Sequence, residues 1–181
     1  MQSRDSNQNS NRAPRRGRRG FTLVEILIVV VILGILATLV IPQFSDASVT
    51  ARENTLKDEV RYLRTQIIVY KAQHNDTPCG YPDGNVSSAP TAEAFNGQMC
   101  KYTNENGIVS NTLTGAYRFG PYLSSMPINP LNNNKDVLVV GDADAMPACD
   151  GSTGWIYKPK TGEIIANLVG NDSNGTPYRD Y

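Results

Sequence analysis

Glu25 is the residue of this sequence whose position most needs a chemical reason. It is the fifth residue of an apolar run that begins at Phe21, and sixteen residues without a formal charge follow it, from Ile26 to Ile41. An acid held in hydrocarbon costs on the order of 2.5–3.5 kcal/mol on insertion scales, so a compensating group is expected. Two readings of Glu25 stand side by side. It could lie close enough to the membrane surface, just past a cluster of Arg, to reach water. Alternatively, a cut between Gly20 and Phe21 would free an α-amine four residues away, within the same subunit or on a neighbour. A desolvated ammonium–carboxylate pair of that kind is strongly coupled, because removing one partner strands the other. Such a pair sets register between packed helices, as one buried polar residue does in a coiled coil.

The other reactive side chains do not assemble into a catalytic set. His74 is the single histidine and reads as a solvated residue at a helix C-terminus. No Ser or Cys has a His neighbour in an activating pattern, and no phosphate loop or HExxH spacing occurs. No catalytic residue, metal ligand or cofactor is therefore expected. Calcium is the one ion that Asp142, Asp144 and Asp150 would suit, although they lack the spacing of a calcium hand. The three cysteines, Cys79, Cys100 and Cys149, lie in the part expected to be exported, where disulfides persist. One pair with one thiol left over is the simplest count. Cys79 with Cys100 would close a short loop, Cys149 with either would staple the far end of the domain, and three buried thiols are the alternative.

Charge distribution sets the topology. Residues 1–20 carry six Arg against one acid, a net of +5, and the rest of the chain carries −5. Positive charge beside an apolar segment stays cytoplasmic, which places the N-terminus inside and everything after Pro42 outside. The acidic remainder lacks the clustered Lys and Arg of a nucleic-acid binder, so nucleic acid is not an expected partner.

The elements follow from periodicity. Residues 1–11 are polar, without an apolar period, and read as disordered. Phe21 to Ile41 is twenty-one residues, enough for a helix to cross roughly 30 Å of hydrocarbon. Pro42 would kink the helix or mark its exit from the apolar region. Beyond it, Leu56, Val60, Leu63, Ile67 and Tyr70 recur at spacings of four and three and form one stripe. Glu53 and Lys57 stand one turn apart, as an ion pair would. Asn75-Asp76-Thr77-Pro78 ends the helix near His74. Turn signals at Asp83-Gly84, Asn96-Gly97, Asn106-Gly107 and Asn174-Gly175 then break up short strands. Asp136 to Val140, Trp155 to Tyr157 and Glu163 to Asn167 are the strands expected, the last two joined by a turn. The fold class is α+β: a long N-terminal helix packed against a small C-terminal antiparallel β-sheet. The domains are 1–20, a basic leader; 21–42, the transmembrane helix; 43–75, its amphipathic continuation; and 76–181, a small-sheet domain with a loose tail from Gly170 to Tyr181.

Gly20, Phe21-Thr22-Leu23-Val24-Glu25 and the apolar run to Pro42 resemble the class III signal of type IV pilins and type II secretion pseudopilins. Pro121-Tyr122-Leu123 through Pro127-Ile128-Asn129-Pro130, and Gly154-Trp155-Ile156-Tyr157, resemble landmarks of the major pseudopilins. The resemblance implies cleavage after Gly20 by a membrane prepilin peptidase and N-methylation of Phe21. It implies a pilin-like fold and a homopolymer, joined by minor pseudopilins and driven by an inner-membrane platform with a secretion ATPase. It places the protein in the inner membrane as a single pass, with a periplasmic C-terminal domain and a periplasmic filament after assembly. It also implies a calcium site in a C-terminal loop, whose ligands do not map onto this chain, and the twenty-residue leader is long for the family. The function implied is a structural subunit of a type II secretion pseudopilus. A type IV pilus or DNA-uptake subunit is the alternative within the class. A folded domain exported by the twin-arginine-like Arg18-Arg19-Gly20-Phe21-Thr22-Leu23, or a plain single-pass anchor, is the remote one.

Overall fold

The computed structural model describes residues 20–181, without the side chains of residues 39–46. The Arg-rich leader and the disordered reading of residues 1–11 lie outside the described residues. The chain divides into two units, Met1–Phe44 and Ser45–Tyr181.

In the first unit, helix α1 (Leu23–Gln73) begins at Leu23, and every described side chain from Phe21 to Thr38 is exposed. Helical backbone continues through Pro42, so this proline does not end the helix.

In the second unit, the predicted stripe of α1 is buried throughout: Leu56, Val60, Leu63, Ile67 and Tyr70. The helix stops where Asn75 and Asp76 take positive φ angles of 52° and 64°, a conformation Asn and Asp tolerate better than most residues. Helix α2 (Ala92–Cys100) follows and was not expected. Asn96-Gly97 lies inside it rather than at a turn. Thr91 caps its start by accepting from the Ala94 N–H at 3.1 Å, and Phe95, Gln98 and Met99 are buried one turn apart. That packing overrides the local turn preference.

Strands β1 (Tyr102–Thr103) and β2 (Val109–Ser110) pair antiparallel across the Asn106-Gly107 turn. Strands β3 (Val137–Val139), β4 (Trp155–Lys158) and β5 (Glu163–Ala166) form the main sheet in that order. The β4–β5 ladder is antiparallel, pairing Ile156 with Ile165. The β3–β4 ladder is parallel, so the sheet is mixed rather than wholly antiparallel. The long connection from Val140 to Gly154 provides the crossover that a parallel pair requires. It also explains why Trp155, Ile156 and Tyr157 are all buried. Trp155, Tyr157, Ile164 and Ala166 share the core containing the α1 stripe, while Ile156 and Ile165 pack on the other face with Val140, Met146 and Cys149 of the crossover. Alternation along each strand thus serves two cores.

The tail is not loose. Asp172 is buried, and its Oδ2 accepts from Lys57 Nζ at 3.0 Å and from the Tyr181 hydroxyl at 2.8 Å. Glu53 accepts from the Ser173 N–H and hydroxyl at 3.0 and 2.6 Å, and from the Tyr178 hydroxyl at 3.2 Å. Glu53 and Lys57 therefore do not pair with each other as their spacing suggested. Each is taken by the tail.

Candidate functional site

The segment that carries the motif opens on a reciprocal cap. Thr22 donates its N–H and its hydroxyl to Glu25 Oε2 at 2.7 and 2.9 Å, and the Glu25 N–H donates to Thr22 Oγ1 at 3.2 Å. This is a capping box, with Thr22 as the cap and Glu25 three residues on, satisfying two backbone donors that a helix start leaves free. The T-x-x-E spacing carried that signal in the sequence, and the reading of Glu25 as a charge partner passed over it. Gly20 and Phe21 lie just ahead of the helix, outside its hydrogen-bonded ladder and exposed. Leu23 to Leu36 then presents apolar side chains all round, the pattern of a helix meant for lipid or for other helices. Among the described residues, no helix is long and apolar enough to cross a membrane. The described side chains of the run end at Thr38, before Pro42.

The remaining candidates do not converge on this segment. His74 is buried rather than solvated, with its ring stacked on Tyr70 at 3.9 Å between centroids. Its Nδ1–H donates to the Tyr70 carbonyl at 2.7 Å, so the neutral ring accepts from the Thr103 hydroxyl at Nε2, 3.0 Å away. Burial holds its pKa below the ordinary value, and the ring serves to join the end of α1 to β1.

All three cysteines are free, so the expected pairing is not formed. Their surroundings differ. Cys79 sits in the core with its sulfur 3.2 Å from the Tyr157 hydroxyl, and burial pushes its thiol up to about 12. Cys149 packs on the opposite face of the sheet. Cys100 lines a cleft of about 590 Å³ with Glu93, Lys101, Met126 and Asp136. Burial raises its thiol as well, which disfavours the thiolate.

Two of the three acids of the crossover, Asp142 and Asp150, are spent singly. Asp142 accepts from the Tyr81 hydroxyl at 2.7 Å, and Asp150 accepts from Ser152 and from the Asn167 amide. These bonds hold the Asp150 carboxyl down at about 2. Among the described residues, no three His, Cys, Asp or Glu side chains gather into one group of metal ligands. Asp142, Asp144 and Asp150 do not come together as one ligand set for the calcium ion that the resemblance implied.

Comparison with known proteins singles out the same segment. Residues 15–41 match the prokaryotic N-terminal methylation motif. Over 127 residues the chain is 30% identical to the type II secretion system core protein G of Pseudomonas aeruginosa, covering 70% of this chain and 78% of that protein. It is 28% identical to the protein of the same name from Vibrio cholerae, over 84% of this chain and 92% of the relative. Identity to the type IV major pilin PilE of Neisseria gonorrhoeae is 24%, over 86% of each. No solved structure matches. With its capped apolar helix, its small mixed sheet and this similarity along most of its length, the chain belongs to the type II secretion pseudopilins, the core protein G family within the type IV pilin superfamily.

Proposed function

We propose that this chain is a structural subunit of a type II secretion pseudopilus, a homopolymer that drives protein export and does no catalysis itself. The observation that carries the reading is the junction at Gly20–Phe21. A helix cap begins one residue past an exposed Gly–Phe bond, and apolar side chains surround the helix that follows. Cleavage after Gly20 by a prepilin peptidase would free the Phe21 amine. That amine is bonded through a single residue to the Thr22 N–H that Glu25 already holds. The Glu25 carboxylate would then neutralise the amine of its own or a neighbouring subunit, and N-methylation of Phe21 would keep that nitrogen cationic.

In this reading, 21–42 anchors the precursor in the inner membrane with residues 1–20 cytoplasmic and the second unit periplasmic. After processing, the same helix joins the filament interior. Minor pseudopilins, an inner-membrane platform and a secretion ATPase would be its assembly partners. The similarity to PilE supports a type IV pilus subunit as the second reading within the superfamily.

Mass spectrometry of the mature N-terminus tests the processing step. The expected result is an N-methylated Phe21, and a mature chain that still begins at Met1 would remove the proposal. Deleting the chain should abolish export of type II substrates. Intact export together with lost surface pili would select the second reading.

A further inference from the structure

The segment Asn129–Asn134 sits beside the start of β4, and its amides take the backbone carbonyls there one after another. Asn132 Nδ2 donates to Thr153 O at 2.8 Å and lies 3.4 Å from both Gly151 O and Asn167 O. Asn134 Nδ2 donates to Ser152 O at 3.1 Å, and Asn129 Nδ2 to Gly154 O at 3.0 Å. The four successive carbonyls of residues 151–154 thus all face an asparagine amide. Three carbonyl oxygens from two strands of chain, 151–153 and 167, converge on a single nitrogen. Convergent carbonyls carry partial negative charge and repel one another unless a positive group stands between them. Calcium is a cation that backbone carbonyls and carboxylates bind together.

We infer that the Asn132 amide takes the place of a cation at this point, so that the loop joining β3 to β4 is locked by side-chain N–H groups and folds without calcium. Several features agree. The amide is oriented by its own oxygen, which accepts from the Asn134 N–H at 3.1 Å, so its N–H groups are aimed at the carbonyls rather than away. The carboxylate of Asp150, next to Gly151, accepts at Oδ1 from Ser152 and from the amide of Asn167, which itself joins the same lock through its backbone oxygen. Asn167 Oδ1 accepts from the N–H groups of Asp150 and Gly151, which leaves that side chain no oxygen free for a metal. The three convergent carbonyls, Asp150 Oδ1 and Asn167 Oδ1 are thus all paired with N–H or O–H donors.

The chemistry also predicts what the reverse substitution does. Asn132→Asp removes the N–H groups and sets a carboxylate among three carbonyls. That is an unfavourable cluster without a cation and a calcium ligand set with one. Asn132→Ala removes the N–H groups and supplies no ligand.

The test is thermal unfolding of the full chain in detergent, followed by the fluorescence of Trp155, the single tryptophan, in EDTA and in millimolar calcium chloride. The wild type is expected to melt at the same temperature in both. Asn132→Asp is expected to melt about 3–10 °C lower in EDTA and to regain most of that in calcium. Asn132→Ala is expected to melt lower in both alike. A wild type stabilised by calcium would overturn the inference without any variant being needed, as would an Asn132→Asp protein unaffected in EDTA or indifferent to calcium. None of these outcomes depends on whether the chain enters a pseudopilus.

Discussion

Lys57 Nζ lies 3.0 Å from Asp172 Oδ2, closing a contact between residues 115 positions apart, and the same ammonium stands 4.5 Å from the centre of the Tyr181 ring. One turn earlier, the buried carboxylate of Glu53 holds Ser173 and Tyr178 entirely through hydrogen bonds from neutral donors. Together the two helix residues make the last twelve residues a clamp on α1. Glu53→Ala should destabilise the protein by about 2–3 kcal/mol, since hydrogen bonds to a charged group are the strong ones and their donors would be left unpaired. It should also free residues 170–181 for proteolysis. Chemical denaturation and limited digestion check both, and an unchanged midpoint would show that the tail is not held by this residue.

Two pH windows should separate two parts of the fold. His74 is disfavoured as an imidazolium by burial, so the unfolded chain binds its proton more readily than the folded one. Stability should therefore be full above about 6.5, the ordinary histidine value, and fall as pH drops below it. Asp172 works lower down: the Lys57 ammonium holds its carboxyl far below the ordinary range. Its contribution should be full above about 3.9 and be lost as pH falls further, through its folded value. Unfolding midpoints against pH should show both declines. His74→Asn should remove the upper one, and Asp172→Asn should shrink the lower one, leaving the part that Asp150 contributes. A single acid transition unaffected by His74→Asn would contradict the buried, neutral ring.

Thiol chemistry should find three unpaired cysteines of unequal reach. Cys79 is fully buried and its thiol is pushed up to about 12, so a neutral-pH alkylating reagent should leave it unlabelled until the protein unfolds. Reductant should leave the melting temperature unchanged. A two-proton mass deficit in the unreduced protein would show that a disulfide forms after all.

What the sequence revealed was whatever repeats. The buried stripe from Leu56 to Tyr70 follows from a spacing of three and four, and β4 and β5 follow from apolar runs flanking a Pro- and Gly-containing turn. The capping box was legible in Thr22 and Glu25 but was overshadowed by the cost of placing an acid in lipid. Other features have no period to betray them. The tail clamp rests on six single polar residues scattered from Glu53 to Tyr181, and its Gly- and Asn-rich composition reads as coil. Helix α2 has two large apolar positions and an Asn-Gly pair in its middle, so only its packing against the core selects helix. The parallel β3–β4 ladder is a property of the crossover, which no local pattern encodes. His74 looked exposed because polar residues follow it, yet β1 covers it.

The capping box gives Glu25 a second role, and the two roles can be separated. Gln serves as well as Glu at the third position of such a cap, because its side-chain oxygen can still accept from the Thr22 N–H. Glu25→Gln therefore keeps the helix start while removing the charge, whereas Glu25→Ala removes both. If the carboxylate neutralises the Phe21 amine during assembly, both variants should be cleaved after Gly20 and N-methylated, and neither should form filaments. If Glu25 matters only as a cap, Glu25→Gln should assemble normally and Glu25→Ala should fail. Thr22→Val completes the set: it breaks the cap from the other side and leaves the charge in place, so it should assemble under the charge reading and fail under the cap reading. Filament yield from the three variants, scored beside N-terminal mass spectrometry, decides between an acid that meets a neighbour's amine and one that merely starts a helix.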